Sequence, residues 1–294
     1  MGVSRFFTNP ASTVLMVRGQ LTMPKAPNLA APDLQFAIDI AVQAGQVLAQ
    51  RPDSLQISTK SSSTDVVTHM DEQSERYIVE QIRRVHPTDG ILGEEGTSVA
   101  STSGRSWIID PLDGTVNYLY GIPYWAVSIG LRNDVTGEGI LGVVYAPDLD
   151  ALYVTAAGEG AWKLHEDNWI QIGVSQCADL GQALMGTGFG YAISRRIKQG
   201  RVLTHVLPTV RDIRRLGSCA IDLCLVASGE LDGFFEEGVN PWDHSAGSLM
   251  VREAGGRVSG LFGTQESNSM LLATTGNIYV DLLRILEAAE SETV

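Results

Sequence analysis

The chain has 294 residues, of which 44% are hydrophobic and 19% are charged, a composition typical of a globular protein with one large or two ordinary domains. The formal net charge of −13 argues against nucleic acid as a partner, because binding to a phosphate backbone needs a basic surface. The longest apolar runs are far shorter than the about 20 residues of a spanning helix, so we expect no membrane partner.

The cysteines show neither an even count nor a C-x-x-C spacing. They therefore predict neither a disulfide framework nor a zinc site, and the five histidines are scattered without ligand spacing. This use of cysteine is typical of a reducing compartment, and we expect a cytoplasmic protein.

The first segments of the chain predict an extension followed by two helices. Residues 1–30 contain a short apolar run and a Pro- and Ala-rich stretch, and we expect them to be flexible. Residues 33–50 space their apolar side chains as an amphipathic helix does. Residues 71–85 repeat this pattern, with acidic residues at the start, basic residues late and Pro87 as a stop.

Later segments predict strands first and then an alternation of strands and helices. The first strands are expected at 124–132, 139–146, 151–157, 160–164 and 168–173. Then follow strands at 182–189, 231–237 and 270–275, with helices at 218–229, 244–256 and 281–289. No helix is evident directly after GTGFGY (186–191). We predict an α+β part with an antiparallel sheet at 31–175 and an α/β part at 176–294.

Acidic residues recur where the predicted elements begin or end. Asp110 and Asp113 lie in WIIDPLDGTVNYLYG (107–121), directly after an apolar run. The other acidic residues at junctions are Asp71, Glu94, Glu95 and Asp243. Each has an ordinary explanation as a turn former, a helix cap or an exposed acid. Because strand ends and helix starts line one crevice in α/β folds, we expect these side chains to converge.

Convergent carboxylates predict a metal site, because they cannot all be ionised without a countercharge. An all-oxygen set without Cys or His suits Mg²⁺, with Mn²⁺ or Ca²⁺ as alternatives, rather than zinc. Gly114 lets the backbone approach a phosphate closely, and free amides at a helix start attract anions. The Thr115 hydroxyl is placed to orient a water, so the residues predict a site that handles phosphate.

The segment around Asp110 and Asp113 also resembles the motif of a second class of phosphatases, but only superficially. Haloacid-dehalogenase-type phosphatases carry Asp-x-Asp-Gly-Thr after a strand, with the first aspartate as covalent nucleophile. In this chain Pro111 stands two positions before Asp113, and the spacing is Asp110-x-x-Asp113. The nucleophile is missing, so no covalent phospho-enzyme is expected.

Four segments resemble the inositol monophosphatase family in order and spacing: DVVTHMD (65–71), GILGEEG (90–96), WIIDPLDGTVNYLYGIP (107–123) and WDHSAGSLMVREAGG (242–256). The resemblance runs from about residue 35 to about residue 285. The pairing of D-P-x-D-G-T with a later W-D-x-x-A-G is highly specific. The resemblance implies a layered αβαβα architecture, a homodimer, and Mg²⁺-dependent hydrolysis of phosphate monoesters.

The resemblance also implies roles for individual residues. The ligands of a first metal ion are Glu94, Asp110 and the carbonyl of Leu112, and those of a second are Asp110, Asp113 and Asp243. Asp71 reaches a third, weaker ion through water. The residues assigned to the substrate, phosphate and alcohol together, are Asp113, Gly114, Thr115, Gly217, Ser218, Cys219, Glu236 and Asp243.

The implied mechanism is in-line attack by a metal-bound water that Glu94 and Thr115 activate, with Asp110 as a further catalytic residue. The expected substrate is a small phosphorylated polyol or amino alcohol, in the first place inositol 1-phosphate. Histidinol phosphate, a sugar bisphosphate and a nucleotide 3′-phosphate stay open, because Glu236 suits a polyol hydroxyl or an amine. A regulatory binding protein that retains the fold is the alternative from another class.

A few positions depart from the family pattern or invite another interpretation. Gly190 stands where many relatives have proline, and Ser245 where alanine is common. His244 is not expected to be a general acid, because adjacent helical side chains point in different directions. Cys219 is expected to be a packing residue, since nothing adjacent would activate its thiol. A small basic cluster is formed by Arg211, Arg214 and Arg215. It is expected to face solvent or a second subunit, or else to attract an anionic substrate.

Overall fold

A computed structural model describes residues 25–52, 57–59 and 66–292. Its helices are α1 (Leu34–Ala49), α2 (His69–Val85), α3 (Thr115–Tyr120), α4 (Ile193–Val206), α5 (Cys219–Ala227), α6 (Pro241–Glu253) and α7 (Tyr279–Ser291). Its strands are β1 (Ile57–Thr59), β2 (Val66–Thr68), β3 (Gly90–Gly93), β4 (Ser98–Val99), β5 (Arg105–Asp113), β6 (Ala126–Asn133), β7 (Gly139–Ala146), β8 (Ala151–Ala156), β9 (Ala161–His165), β10 (Asn168–Ile172), β11 (Leu184–Thr187), β12 (Asp212–Arg214), β13 (Gly233–Glu236), β14 (Arg257–Ser259) and β15 (Leu271–Thr274).

The strands form two main sheets and one short ribbon of β1 and β2. The large sheet has the order β10-β9-β8-β7-β6-β5-β3-β4 and is antiparallel except between β3 and β5. The small sheet has the order β12-β11-β13-β15-β14, with β11 parallel to both of its neighbours and β15 antiparallel to both of its own. Parallel pairing at β3–β5 and at β11–β13 places strand ends together, as a crevice site requires.

The sheets and helices stack in five layers. Helices α1 and α2 cover one face of the large sheet, and α5 and α6 lie between the two sheets. Helices α4 and α7 cover the outer face of the small sheet. The predicted αβαβα architecture is confirmed. Among the helices described, none combines the length and apolar character needed to cross a bilayer.

Most predicted elements are present within a few residues of their predicted bounds. Helices α2 and α6 each begin earlier than the apolar pattern indicated, because a polar residue caps them. Thr68 accepts the Met70 N–H at the start of α2, and Asn240 precedes Pro241, the first residue of α6. The division at residues 175/176 stays a prediction.

One expectation from the sequence was wrong: a helix, α4, does follow GTGFGY. Its sequence is half polar and contains Gly200, and its inner face buries only Gln199, Val202 and Val206. Ile193 at its start remains 78% exposed. Apolar periodicity is therefore weak, and tertiary packing against α7 stabilises the helix instead.

The predicted N-terminal extension, 1–30, lies outside the described residues up to position 24. Its last residues contact the folded part. The Lys25 carbonyl accepts a hydrogen bond from Trp169 Nε1 at 2.6 Å, and the Ala26 N–H donates to Gln35 Oε1 at 2.6 Å.

Helix α6 approaches the large sheet very closely at two glycines. Gly130 of β6 and Gly142 of β7 are directly paired across the sheet. A Cβ at Gly142 would lie 2.9 Å from both the Cα and the carbonyl oxygen of Ala246, and one at Gly130 would lie 3.1 Å from the Ser245 Cβ. The absence of side chains at this pair lets α6 pack directly on the sheet backbone.

Replacing Gly142 with alanine should destabilise the protein, because the new methyl group meets helix backbone that cannot rotate away. We expect a loss of about 1–3 kcal/mol in the free energy of unfolding, measured by urea denaturation. Gly200→Ala in α4 is the control: its Cβ meets nothing within 4 Å, and alanine favours a helix interior by about 0.5–1 kcal/mol. Equal stability of Gly142→Ala and the wild type would contradict the close-packing account.

Candidate active site

A cavity of about 730 Å³ opens where the ends of the two sheets meet. Its wall contains the end of β5, the starts of α3, α5 and α6, and the end of β13. Every site residue predicted from the sequence contributes to this wall except Asp71. The tertiary structure thus brings carboxylates from distant parts of the chain to one place.

Asp110 and Asp113 lie on either side of an irregularity near the end of β5. The ladder to β6 is in register up to Asp110 and resumes in a shifted register at Asp113. Pro111 between them has no N–H for the ladder, and the Leu112 N–H donates instead to Asp110 Oδ1 at 3.0 Å. This bulge turns both carboxylates and the Leu112 segment to the cavity.

Gly114 and Thr115 follow the bulge and begin α3. Gly114 has φ of +89°, and a Cβ there would lie 2.7 Å from the Tyr124 carbonyl oxygen, so only glycine fits without strain. The Thr115 hydroxyl donates to Asp71 Oδ1 at 3.0 Å or to the Leu112 carbonyl at 3.1 Å. The direction of this hydroxyl is therefore set by the Asp71 carboxylate and by the backbone of the β5 bulge.

Asp71 is fully buried behind the wall rather than in it. Its Oδ2 accepts hydrogen bonds from the Thr68 N–H at 2.9 Å and the Thr68 hydroxyl at 2.6 Å, while Oδ1 accepts from Thr115. Asp71 therefore both caps α2 and orients Thr115. Its predicted contact with a third metal ion stays a prediction.

Two aspartates of the wall are held by helix starts. Asp113 Oδ2 accepts from the Ser218 hydroxyl at 2.6 Å and the Ala220 N–H at 2.7 Å, at the start of α5. Asp243 Oδ2 accepts from the Asn240 N–H at 2.6 Å as part of the capping box of α6. Each of these two aspartates therefore stabilises the start of a helix and also lines the cavity.

Three aspartates of the wall have raised pKa values. Burial, followed by the charges of Glu94 and Asp113, holds the pKa of Asp110 well above its usual range. Burial raises the pKa of Asp113 to about 6, although hydrogen bonds to its carboxylate oppose the rise. The pKa of Asp243 is also well above its usual range, through burial and then Glu94.

The donor set fits a hard divalent cation. Among the described residues, no three His, Cys, Asp or Glu side chains stand close enough together to hold a metal ion as they are. The carboxylates nevertheless face one cavity and raise one another's pKa, so they lie within interaction distance. Buried oxygen donors that lack a countercharge are what Mg²⁺ or Mn²⁺ would satisfy.

Glu236 lines the same cavity from the end of β13. Burial raises its pKa to about 7, although Arg215 and Arg195 lower it. A Cβ at Gly188 would overlap the Glu236 carboxylate, so this glycine makes room for it. Of the three clustered arginines, only Arg215 lines the cavity; Arg214 instead pairs with a neighbouring aspartate at 2.6 Å.

Two residues considered as catalytic groups have other environments. His244 is 8% exposed, its Nδ1 lies 3.3 Å from Ser248 Oγ, and burial lowers its pKa to about 4. It does not line the cavity. Cys219 does line it, but burial first and then Glu236 hold the pKa of its thiol well above the usual range, which disfavours a nucleophilic thiolate.

Asn117 does not line the cavity but supports it, and sequence reasoning missed this role. Its Nδ2 donates to the carbonyls of Tyr124 at 2.7 Å and Leu216 at 2.8 Å, and so joins the segment after α3 to the segment before α5. Asp222 was missed as well; it is 1% exposed, lines the cavity, and burial raises the pKa of its carboxyl well above the usual range. Asn117 lies within the segment WIIDPLDGTVNYLYG (107–121), but nothing local indicates its contacts with backbone atoms of other segments, and Asp222 belongs to none of the four motifs.

Residues 30–291 match the model of the inositol monophosphatase family. The chain belongs to this family. Inositol-1-monophosphatase SuhB of Mycobacterium tuberculosis is 44% identical over 207 residues, which cover 69% of this chain and 71% of that protein. Nus factor SuhB of Pasteurella multocida is 38% identical over 268 residues, covering 89% of this chain and 98% of that protein. Membership supports a phosphatase.

Solved structures of the family show the same fold. Extragenic suppressor protein SuhB from Bartonella henselae superposes with a TM-score of 0.79 at 34% identity, covering 85% of this chain and 96% of that one. An inositol monophosphatase from Thermotoga maritima also reaches a TM-score of 0.79, at 31% identity and with 89% and 99% coverage. The family resemblance drawn from the four motifs is confirmed.

The raised pKa of Glu236 predicts a pH-dependent stability in the absence of metal. Between the ordinary pKa of about 4.5 and the folded pKa of about 7, the folded state holds a proton that the unfolded state has lost, so the free energy of unfolding falls as pH rises. Above pH 7 this loss in the free energy of unfolding is complete and amounts to about 3 kcal/mol. Urea unfolding in EDTA at pH 5 and pH 8 should show a smaller pH dependence for Glu236→Gln. Identical pH dependences would contradict the burial account.

Proposed function

We propose that this protein is a Mg²⁺-dependent phosphatase that hydrolyses a small phosphate monoester, with inositol 1-phosphate as the first candidate. One observation carries the proposal. Buried carboxyl groups that raise one another's pKa line the same cavity as a glycine–threonine helix start. A divalent cation would neutralise the carboxyl groups, and a phosphate ester would bind both to that cation and to the amides at the helix start.

The residues that would hold two metal ions are Glu94, Asp110, Asp113, Asp243 and the carbonyl of Leu112, with Asp71 near a third. When bound, such ions neutralise the carboxylates, polarise the phosphoryl oxygens and lower the pKa of a bound water. Mn²⁺ would serve in place of Mg²⁺, because both take oxygen ligands.

The protein's own groups would position the reactants. The amides of Gly114 and Thr115 are the proposed phosphate contacts at the start of α3. The Thr115 hydroxyl, held from behind by Asp71, and the Glu94 carboxylate are the proposed contacts of the attacking water. Since Pro111 stands where an aspartyl nucleophile would be needed, hydrolysis without a covalent intermediate is the consistent route.

The alcohol would lie toward Glu236 and the start of α5. The proposed contacts are Gly217, Ser218, Cys219, Glu236 and Asp243. With its pKa near 7, Glu236 accepts hydrogen bonds from an amine when ionised and also donates to a hydroxyl when protonated. Polyol phosphates and amino-alcohol phosphates such as histidinol phosphate therefore both fit, and sugar bisphosphates and nucleotide 3′-phosphates remain alternatives.

A second candidate function is regulatory binding. The relative from Pasteurella multocida is called a Nus factor, and this chain matches 98% of its length. A role of that kind would use the folded surface rather than the cavity. The net charge of −13 argues that such a surface would contact protein rather than nucleic acid.

A substrate panel tests the proposed chemistry. We expect phosphate release with Mg²⁺, and none with EDTA, from at least one of inositol 1-phosphate, histidinol phosphate, fructose 1,6-bisphosphate and 3′-phosphoadenosine 5′-phosphate. The preferred ester is identified by comparing kcat/KM. The proposal fails if none of the four esters releases phosphate.

Asp110→Asn tests the metal-binding role of the central carboxylate. Loss of a bridging charge should lower kcat/KM about 100-fold or more, equivalent to about 3 kcal/mol. The folded apoprotein should stay at least as stable, because a neutral amide of similar shape replaces a buried carboxyl group whose ionisation is disfavoured. Asp167→Asn, in the exposed turn after β9, is the control for loss of one carboxylate. A regulatory function that survives Asp110→Asn while turnover is lost would support the second candidate beside the first.

A further inference from the structure

Helix α2 contacts three chain segments that carry proposed site residues. Its first turn holds Asp71, which accepts the hydrogen bond from Thr115. Next along the helix, Ser74 and Glu75 are 1% and 3% exposed although both are polar. Neither of these two side chains lines the cavity. Their burial is explained by what they bind.

The two carboxylate oxygens of Glu75 each accept a backbone hydrogen bond. Oε2 accepts from the Glu95 N–H at 2.8 Å, and Oε1 accepts from the Thr97 N–H at 3.1 Å. Both amides belong to the turn after β3, which is closed by the Gly93 N–H donating to the Thr97 carbonyl at 2.8 Å. A Cβ at Gly93 would overlap the Glu75 carboxylate. Glu75 thus fixes the turn that begins with Glu94.

Ser74 holds the second segment. Its hydroxyl donates to the Pro111 carbonyl oxygen at 3.0 Å. Pro111 lies inside the bulge between Asp110 and Asp113, where the register of the sheet is broken. Because a bulge disrupts the regular ladder, this buried hydroxyl supplies a partner from outside the sheet.

We propose that Ser74 and Glu75 are positioning residues of the metal site: they set the Glu94 turn and the Asp110–Asp113 bulge relative to each other, and thereby the affinity for Mg²⁺. This rests on the proposed function, since it takes those carboxylates as metal ligands. The link is physical, because carboxylates from separate segments bind one ion only when their backbones are held in fixed relation.

A purely structural role of α2 makes a different prediction. The helix is also anchored by Ile78 and Ile82, which are fully buried in the core. Weakening that anchor lowers stability but leaves both hydrogen-bonded segments in place. Weakening the Ser74 and Glu75 contacts changes the relation between the two ligand segments, and so changes the affinity for metal.

The test is Glu75→Gln in the full chain. Glutamine has nearly the same shape, but its NH₂ faces a backbone N–H, so one of the two hydrogen bonds is lost. We expect the half-saturating Mg²⁺ concentration for phosphate release to rise about 10- to 100-fold, while KM for the ester at saturating Mg²⁺ stays near that of the wild type. Binding of Mn²⁺ followed by electron paramagnetic resonance, without substrate, should weaken by a similar factor.

Three further variants separate the explanations. Glu80→Gln makes the same chemical change at an exposed position of the same helix and should leave the metal midpoint unchanged. Ile82→Val should lower the melting temperature and leave the metal midpoint unchanged. Ser74→Ala removes one hydroxyl from a helix that tolerates alanine well and should shift the midpoint in the same direction as Glu75→Gln, by a smaller factor.

Unchanged Mn²⁺ affinity in folded Glu75→Gln protein overturns the proposal, and so does an equal loss of affinity in Ile82→Val. If Glu75→Gln does not fold, unchanged Mn²⁺ affinity in Ser74→Ala overturns it. A wild-type protein that releases no phosphate from any ester refutes the proposed function instead, and the Mn²⁺ titrations then decide the positioning role by themselves.

Discussion

The contact on which the rest of the structure depends is the packing of α6 on the paired glycines of the large sheet. With Gly130 and Gly142 beneath it, the helix backbone lies against the strand backbone. This fixes the distance between the sheets, since α6 also packs on the small sheet. It also delivers Asp243, at the first turn of α6, to the wall that contains Asp110 and Asp113. A larger residue at either glycine would separate the two halves of the site.

The site thus formed is electrostatically costly. Carboxyl groups that would ionise readily in water are buried next to one another, and their pKa values rise in consequence. The fold tolerates this cost because each aspartate also has a structural role: Asp243 caps α6, Asp113 accepts from the start of α5, and Asp110 accepts the Leu112 N–H within the bulge of β5. A bound divalent cation would relieve the repulsion, so metal binding and the stability of this region are expected to be coupled.

Much of the fold follows from local patterns. The amphipathic spacing of α1, the apolar runs of β5 to β8 and the glycine stop after α6 are visible without coordinates. Helix α4 was missed because its pattern is weak and packing supplies its stability. Asn117 and Glu75 were missed for another reason: each acts on backbone atoms of a distant segment, and no residue spacing records such a contact.

By itself, the sequence determined the chemistry that the site has available. The Asp110-x-x-Asp113 spacing around Pro111, the Gly114–Thr115 pair and the all-oxygen character of the acidic residues can all be seen in the printed chain, because they depend on residue type and local spacing. Only the tertiary structure decided which groups meet. It placed Asp71 behind Thr115 rather than in the wall, and it brought Glu236 from the end of β13 to the same cavity as Asp113. Such distances depend on how closely helices and sheets pack. That packing is determined by the volumes of side chains throughout the chain.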